Sequence, residues 1–218
     1  MDADDRKIPS HEVTYARLRD MILYGHLEPG APVTIQGLIT DLGAGMTPVR
    51  EAIRRLTAEG ALLPQGNRRV AVPQLSAEML DQVAFARLAI EPKLAELAGP
   101  RLTRAKIDRL EAIDAKVSHA IETGKLPEYL AANHAFHFAL YEAAEAPVLL
   151  DLTRSLWLRA GPSLRAVIAR YGRDNAPDQH HEALAAMRAG DARALGGAIE
   201  RDIQQGIDHI RQALSEAR

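Results

Sequence analysis

The stretch Thr47-Pro48-Val49-Arg50-Glu51-Ala52-Ile53-Arg54-Arg55-Leu56-Thr57-Ala58-Glu59-Gly60 constrains this chain more than any other. Its spacing predicts one amphipathic helix. Thr47 can cap it by accepting a first-turn backbone N–H. Pro48 then falls at the first helical position, where its missing N–H costs nothing. Glu51 lies near the positive end of the helix dipole, and Gly60 supplies a left-handed stop. Val49, Ile53 and Leu56 form an apolar stripe. Thr47, Arg50 and Arg54 lie three and four apart on another face, which reads as free of carboxylates. A helix that buries one side and offers guanidinium forks on the other suits the major groove of DNA. A solvated basic surface helix has the same pattern, so the flanks must decide.

Residues 11–24 predict a helix with Tyr15, Leu18 and Ile22 inward, ended by Gly25, and residues 25–30 read as a turn. Thr34 can cap a second helix, with Ile35, Leu38, Ile39 and Leu42 apolar and Gly43 as its stop. Only Ala44-Gly45-Met46 separates it from the opening helix, which makes a helix-turn-helix. After Gly60 the period changes. Residues 61–64 and 69–72 read as short strands about the turn Gln65-Gly66-Asn67-Arg68. This hairpin carries Arg68 and Arg69 with no acid near them in sequence, the form of a wing.

Charge limits what such a surface can do. The chain holds 27 Lys and Arg against 29 Asp and Glu, with nine of each sign in residues 1–75. Contact with nucleic acid must therefore come from a local patch, and two copies would double the phosphate contacts. Aromatics are only 4%, whereas Ala, Leu and Arg abound, which favours helix over sheet. Cysteine is absent, so there is no disulfide framework and no thiolate chemistry. Residues 1–10 read as a disordered tail without the apolar core of a signal peptide. No apolar run approaches the roughly 20 residues of a membrane helix. A cytoplasmic protein with no membrane partner is the expectation.

From Ser76 onward the sequence predicts helix after helix: residues 77–98, a Thr103-capped helix ending near Gly124, and residues 127–144. Another starts at Pro147, with Pro162 breaking or kinking it between Trp157 and Tyr171. Pro177 opens a further helix that ends at Gly190, and Asp191 caps a last one reaching about Ala213 in spite of Gly196, Gly197 and Gly206. Short connections imply an antiparallel bundle. The expected fold is mostly α. An N-terminal winged helix-turn-helix of three helices plus a β-hairpin wing (residues 11–75) precedes an all-α antiparallel bundle (residues 76–218).

Several motifs occur in register: Ile22-x-x-Gly25-x-Leu27-x-Pro29-Gly30, Leu42-Gly43, Thr47-Pro48-Val49-Arg50-Glu51-Ala52 and Leu56-x-x-Glu59-Gly60. Over about residues 11–73 the chain resembles the winged-helix domain of GntR-family transcription regulators. The resemblance implies DNA contacts by Thr47, Arg50, Arg54, Asn67 and Arg68, with Gln36 and Met46 beside them. The family usually has Val-Ser-Arg before Thr-Pro, its Arg reading a guanine edge; here stand Ala44, Gly45 and Met46. Met46 offers only apolar contact, for example to a thymine methyl. That implies an operator unlike the common family half-site, or weaker binding.

The second half carries Arg87-x-x-x-Glu91, Asn133-x-x-Phe136-His137 and His180 eleven residues before Asp191. It is similar, over about residues 77–212, to the FCD ligand-binding domain of the FadR subfamily. That resemblance implies a metal inside the bundle, held by Asn133, His137 and His180, with Asp202 where the family has a third His. Asn133 and His137, four apart, project from one helix face. The mixed nitrogen and oxygen set suits Zn, Ni or Mn; a polar effector pocket without metal is the alternative. His134 and His181, about 100° away on an ideal helix, read as surface residues. His209, seven after Asp202, is a fallback ligand. A small organic acid could complete the coordination through its carboxylate. Arg87 first, then Arg159 or Arg165, could pair with a further carboxylate on it, although each could equally serve in a plain ion pair.

These readings converge on a homodimeric, effector-responsive regulator, not an enzyme, that binds a pseudo-palindrome of double-stranded DNA. Two alternatives stand beside it. One is a metal-dependent, hydrolase-like enzyme, which lacks a further well-placed general base. The other is an effector sensor with weakened DNA binding, motivated by Ala44-Gly45-Met46.

Overall fold

The computed structural model describes the backbone of residues 10–171 and 179–216, and the side chains of these residues other than 163–171. The tail read over residues 1–10 therefore falls, but for Ser10, outside the described residues, as does Pro177. Ser10 already belongs to the first helix, α1 (Ser10–Leu23).

The N-terminal third holds α1, α2 (Ile35–Leu42) and α3 (Met46–Ala58), with strands β1 (Pro32–Thr34), β2 (Leu63–Gln65) and β3 (Arg69–Ala71). Thr34 caps α2 by accepting the Gly37 N–H at 2.9 Å, and Gly43 ends it at φ 58°. Helix α3 begins two residues before the sequence reading: Gly45 is its cap, without a side-chain bond, and Thr47 lies inside the first turn. The left-handed Gly43 finishes α2 so tightly that Ala44 and Gly45 complete the turn. The Val49 N–H then reaches the Gly45 carbonyl at 3.3 Å. Pro48 moves to the third helical position, still among the N–H groups that have no partner within a helix. At the far end Ala61 N–H bonds the Leu56 carbonyl at 2.8 Å and Gly60 N–H bonds Thr57 at 3.0 Å. This is a Schellman closure about Gly60 at φ 75°.

The three strands form one antiparallel sheet in the order β1-β3-β2. Val33 lies opposite Val70, and Gln65 opposite Arg69 across the wing turn. Strand β1 was not foreseen, because three residues beginning with Pro carry no readable alternation.

Helices α4 (Ala77–Ala98), α5 (Arg104–Glu122), α6 (Leu126–Glu142), α7 (Pro147–Tyr171), α8 (Gln179–Ala189) and α9 (Ala192–Glu216) build the bundle. Thr103 caps α5 through the Lys106 N–H, and Asp191 caps α9 through the Ala194 N–H. Helix α7 continues through Pro162 without a break, although proline removes the bond that the Leu158 carbonyl would accept. Helices α4 and α9 run antiparallel: Ala192 abuts Gly99, Gly196 abuts Pro92, and Arg211 pairs with Asp81. Gly196 sits inside α9 for a packing reason. A Cβ there would lie 2.8 Å from Glu96 Cγ and 3.2 Å from the Pro92 carbonyl oxygen.

Two cores result. Leu80, Leu94, Phe136, Leu140, Tyr141, Ile199 and Ile203 fill the bundle. Leu18, Ile22, Leu38, Leu42, Val49 and Leu56 fill the N-terminal head, and Phe138, Trp157 and Leu158 of the bundle join that second core. Among the described residues no helix is long and apolar enough to cross a membrane.

Candidate functional site

Helix α3 buries Val49, Ala52 and Leu56 and leaves Arg50 exposed. Met46 is 50% exposed at its first turn. Thr47 and, on α2, Gln36 are exposed beside it. Asn67 and Arg68 stand at the wing tip, both left-handed, at φ 59° and 56°. Among the described residues, Arg50, Arg68 and Arg69 take part in no ion pair. Arg54 differs. Its Nε and Nη2 donate to both oxygens of Glu51, at 3.0 and 2.6 Å. The face is thus not free of carboxylates, because residues three apart adjoin on a helix surface. The guanidinium bond holds the Glu51 carboxyl below its usual range. Behind α3, Arg55 stacks 3.8 Å over the Tyr15 ring, and the Tyr15 hydroxyl donates to Glu59 at 2.9 Å.

Inside the bundle His137, His180 and Asp202 come together, each with a potential ligand atom within 4.8 Å of the others. Both imidazoles are fixed from behind. His180 Nδ1 lies 2.8 Å from the Asp114 carboxylate and must donate to it, which leaves the Nε2 lone pair for the cluster. His137 Nδ1 lies 3.0 Å from the Tyr141 hydroxyl, which itself donates to Glu91 at 2.8 Å. Burial, and then Glu91, push the Tyr141 pKa well up, so the hydroxyl keeps the proton it donates. Tyr141 can therefore only accept from His137, and this network assigns the hydrogen to Nδ1. His137 Nε2 then faces Asp202 Oδ2 at 3.1 Å. A lone pair and a carboxylate at that distance repel unless a cation or a proton lies between them. With a proton in that place, the bond and charge of His137, with His180 and Arg87, outweigh the burial that would raise the Asp202 pKa and hold it low. Asn133, one turn before His137 on α6, is 7% exposed.

Glu91, fully buried, is the hub behind this cluster. It accepts Arg87 Nε at 2.5 Å, the Tyr141 hydroxyl at 2.8 Å and the Trp157 indole at 3.0 Å. The Arg87 guanidinium also lies 4.7 Å over the Trp157 ring.

Comparison with known proteins matches residues 82–205 to the FCD domain and residues 11–72 to the bacterial regulatory proteins of the gntR family. The chain belongs to the GntR family. This GntR regulator is 29% identical over 199 residues to the transcriptional regulator McbR of Escherichia coli, covering 89% of this chain and 90% of McbR. It is 29% identical over 201 residues to the Nta operon transcriptional regulator of Aminobacter aminovorans, covering 88% of this chain and 91% of that one. The solved McbR structure superposes with a TM-score of 0.89 at 27% identity, covering 95% and 99% of the two chains.

The arginines expected to meet an effector are placed differently in the GntR regulator. Arg87 is already engaged by Glu91, bidentately. Arg159 points out of the bundle interior and donates to the Glu59 carbonyl of the head at 3.0 Å. The side chain of Arg165 lies outside the described residues. His209 is exposed and stands apart from the cluster. His181 is exposed as expected, but His134 is half-buried. It stacks on Phe138 at 4.3 Å between centroids and meets Tyr24 and Trp157 edge-on. Burial, helped by the charges of Arg19 and His137, pushes its pKa down to about 3. The head covers the α6 face that a lone helix would expose. Sequence reasoning missed Asp114 and Tyr141. Asp114 could have been found as an acid on the stripe of Leu110 and Val117, and Tyr141 as the residue one turn after His137.

Proposed function

We propose that this GntR regulator binds a pseudo-palindromic operator as a homodimer, and that a small organic acid held with a divalent cation sets its affinity. Residues 11–75 are the reading unit and residues 76–218 the sensing unit. One observation carries the proposal: α6 serves both. It turns His137 toward the cluster and His134 and Phe138 toward the head. The donor chemistry fits a cation. Ligation requires neutral imidazoles, and the described interior then holds Glu91, Asp114 and Asp202 against Arg87 alone. A divalent ion would offset that surplus of negative charge. Asn133, His137, His180 and Asp202 would hold it, and the ion would supply a Lewis-acidic anchor for the acid's carboxylate. Zn, Ni and Mn all suit the set.

On the DNA side Arg50 is the foremost base reader. Thr47, Gln36, Asn67 and Arg68 support it, Met46 adds an apolar contact, and Arg54 contributes once released by Glu51. The test is fluorescence anisotropy with DNA from upstream of the protein's own gene. Binding should weaken steeply with salt, and Arg50→Ala should weaken it on the order of 10- to 100-fold. An unchanged affinity in that variant, or no salt-sensitive binding by the native protein, would sink the reading.

Two heads on one operator need a self-complementary contact between copies. Phe85 of α4 is 78% exposed, on an uncharged stripe with the exposed Gln82 and Ala89. We assign this stripe to the dimer. Sedimentation should show a native dimer, converted to monomer by Phe85→Glu; a dimer that survives the change overturns the assignment.

A further inference from the structure

Three consecutive residues of α7 grip the head. Trp157 and Leu158 are 6% and 3% exposed within the head's core. Such apolar contact gives adhesion without direction. Arg159 adds direction. Its Nη2 donates at 3.0 Å to the carbonyl of Glu59, the residue that closes α3. That carbonyl is among those a helix leaves unsatisfied at its negative end, where a guanidinium is favoured. Gly60 is shaped to the same contact. Besides its positive φ, a Cβ there would lie 2.5–2.7 Å from three guanidinium atoms of Arg159.

We infer that Arg159 is the positioning residue that fixes the reading head on the bundle, and that Trp157 and Glu91 join this contact to the cluster around His137. The inference rests on the DNA-reading function proposed above. The connection is continuous: His137 Nδ1 to the Tyr141 hydroxyl, that hydroxyl to Glu91, and Glu91 to the Trp157 indole. Two residues further on, Arg159 meets the end of α3. His137, were it to hold a cation with His180 and Asp202, would have its ring fixed where this chain of bonds begins. The head then has one orientation, and two heads have one separation. Without Arg159 the head pivots on its apolar seat, so that spacing, not half-site affinity, loses its definition. The coupling cannot exceed the difference in cation affinity between the two arrangements.

The experiment uses the full-length Arg159→Gln variant and two readouts. The first is affinity for operators whose half-site separation changes one base pair at a time, with and without Zn²⁺. The native protein should prefer one spacing by at least about fivefold, the lower end of ordinary coupling. The variant should flatten that preference and bind an isolated half-site as the native protein does. The second readout needs no DNA. Trp157 is the single tryptophan of the chain, so acrylamide quenching of its fluorescence reports directly on the seat. Quenching should rise in Arg159→Gln. Trp157→Phe keeps an aromatic, though smaller, ring in the seat but loses the N–H, and should retain the spacing preference while losing its dependence on Zn²⁺. Native spacing and native quenching in Arg159→Gln overturn the latch, and a Zn²⁺ effect retained in Trp157→Phe overturns the link. Should Arg159→Gln lose its circular dichroism signal, Arg159→Lys replaces it, with a smaller shift in the same direction expected and none overturning the latch. A native protein that binds no operator defeats the DNA reading, while the quenching arm still decides the latch.

Discussion

Glu91→Ala is expected to lower the free energy of unfolding by about 3–5 kcal/mol, the range for breaking a buried ion pair from one side. Glu91 is fully buried and the Arg87 side chain 12% exposed. Alanine would leave the guanidinium uncompensated, and the Tyr141 hydroxyl and Trp157 indole N–H, which donate at 2.8 and 3.0 Å, without an acceptor. Burial by itself disfavours the charged arginine; the Glu91 charge and hydrogen bond reverse this and hold its pKa up. Native stabilities are typically about 5–15 kcal/mol, so the loss is a large share of the total. Urea unfolding followed by circular dichroism measures it. A double replacement of Arg87 and Glu91 by methionine is the control. Removing both charges together should restore the part of the loss due to the unpaired guanidinium, because the pair's attraction is largely cancelled by its desolvation, and leave the part due to the Tyr141 and Trp157 donors. A loss below about 1 kcal/mol in Glu91→Ala would mean that water reaches Arg87 and that the hub is not dry.

What could be read from the sequence divides along a physical line. Features set within one element were legible: the Thr34 cap, the Gly43 and Gly60 stops, the apolar stripe of α3 and the bounds of α4. So was the convergence of His137, His180 and Asp202, although through family likeness and not through spacing, since they stand on α6, α8 and α9. Features made by two elements meeting were not legible. His134 lies off the His137 face, and periodicity alone sends it to water; only the docked head turns that face into an aromatic seat. Arg159 reads in the sequence as a second choice for an effector's carboxylate or as a plain ion pair, but the chain presents it to the carbonyl that ends α3. Thr47 lost the cap to Gly45 because the length of the turn, not the side-chain preference, fixed where α3 begins.

His137→Ala should abolish stabilisation by a divalent cation. A ligand that binds only the folded state adds RT ln(1 + [L]/Kd), about 2.7 kcal/mol when free Zn²⁺ is a hundredfold above Kd. The native protein should therefore show a clear Zn²⁺-dependent rise in melting temperature. His137 supplies an imidazole whose lone pair is aimed by Tyr141, opposite Asp202 at 3.1 Å. Losing it removes a ligand together with its orienting partner. Loss of an outer-shell partner alone costs roughly 10- to 100-fold in affinity, so the variant should fall below that and show no rise at the same Zn²⁺. Tyr141→Phe serves as the graded case: it keeps every ligand, frees the His137 tautomer, and should give the smaller, roughly 10- to 100-fold loss. Because ligation needs neutral imidazoles, the native rise should be smaller in acid than at neutral pH. Equal Zn²⁺-dependent stabilisation in the native protein and His137→Ala would remove the cation from this cluster. The His137–Asp202 pair would then be held by a proton, and the buried surplus of negative charge would need another partner.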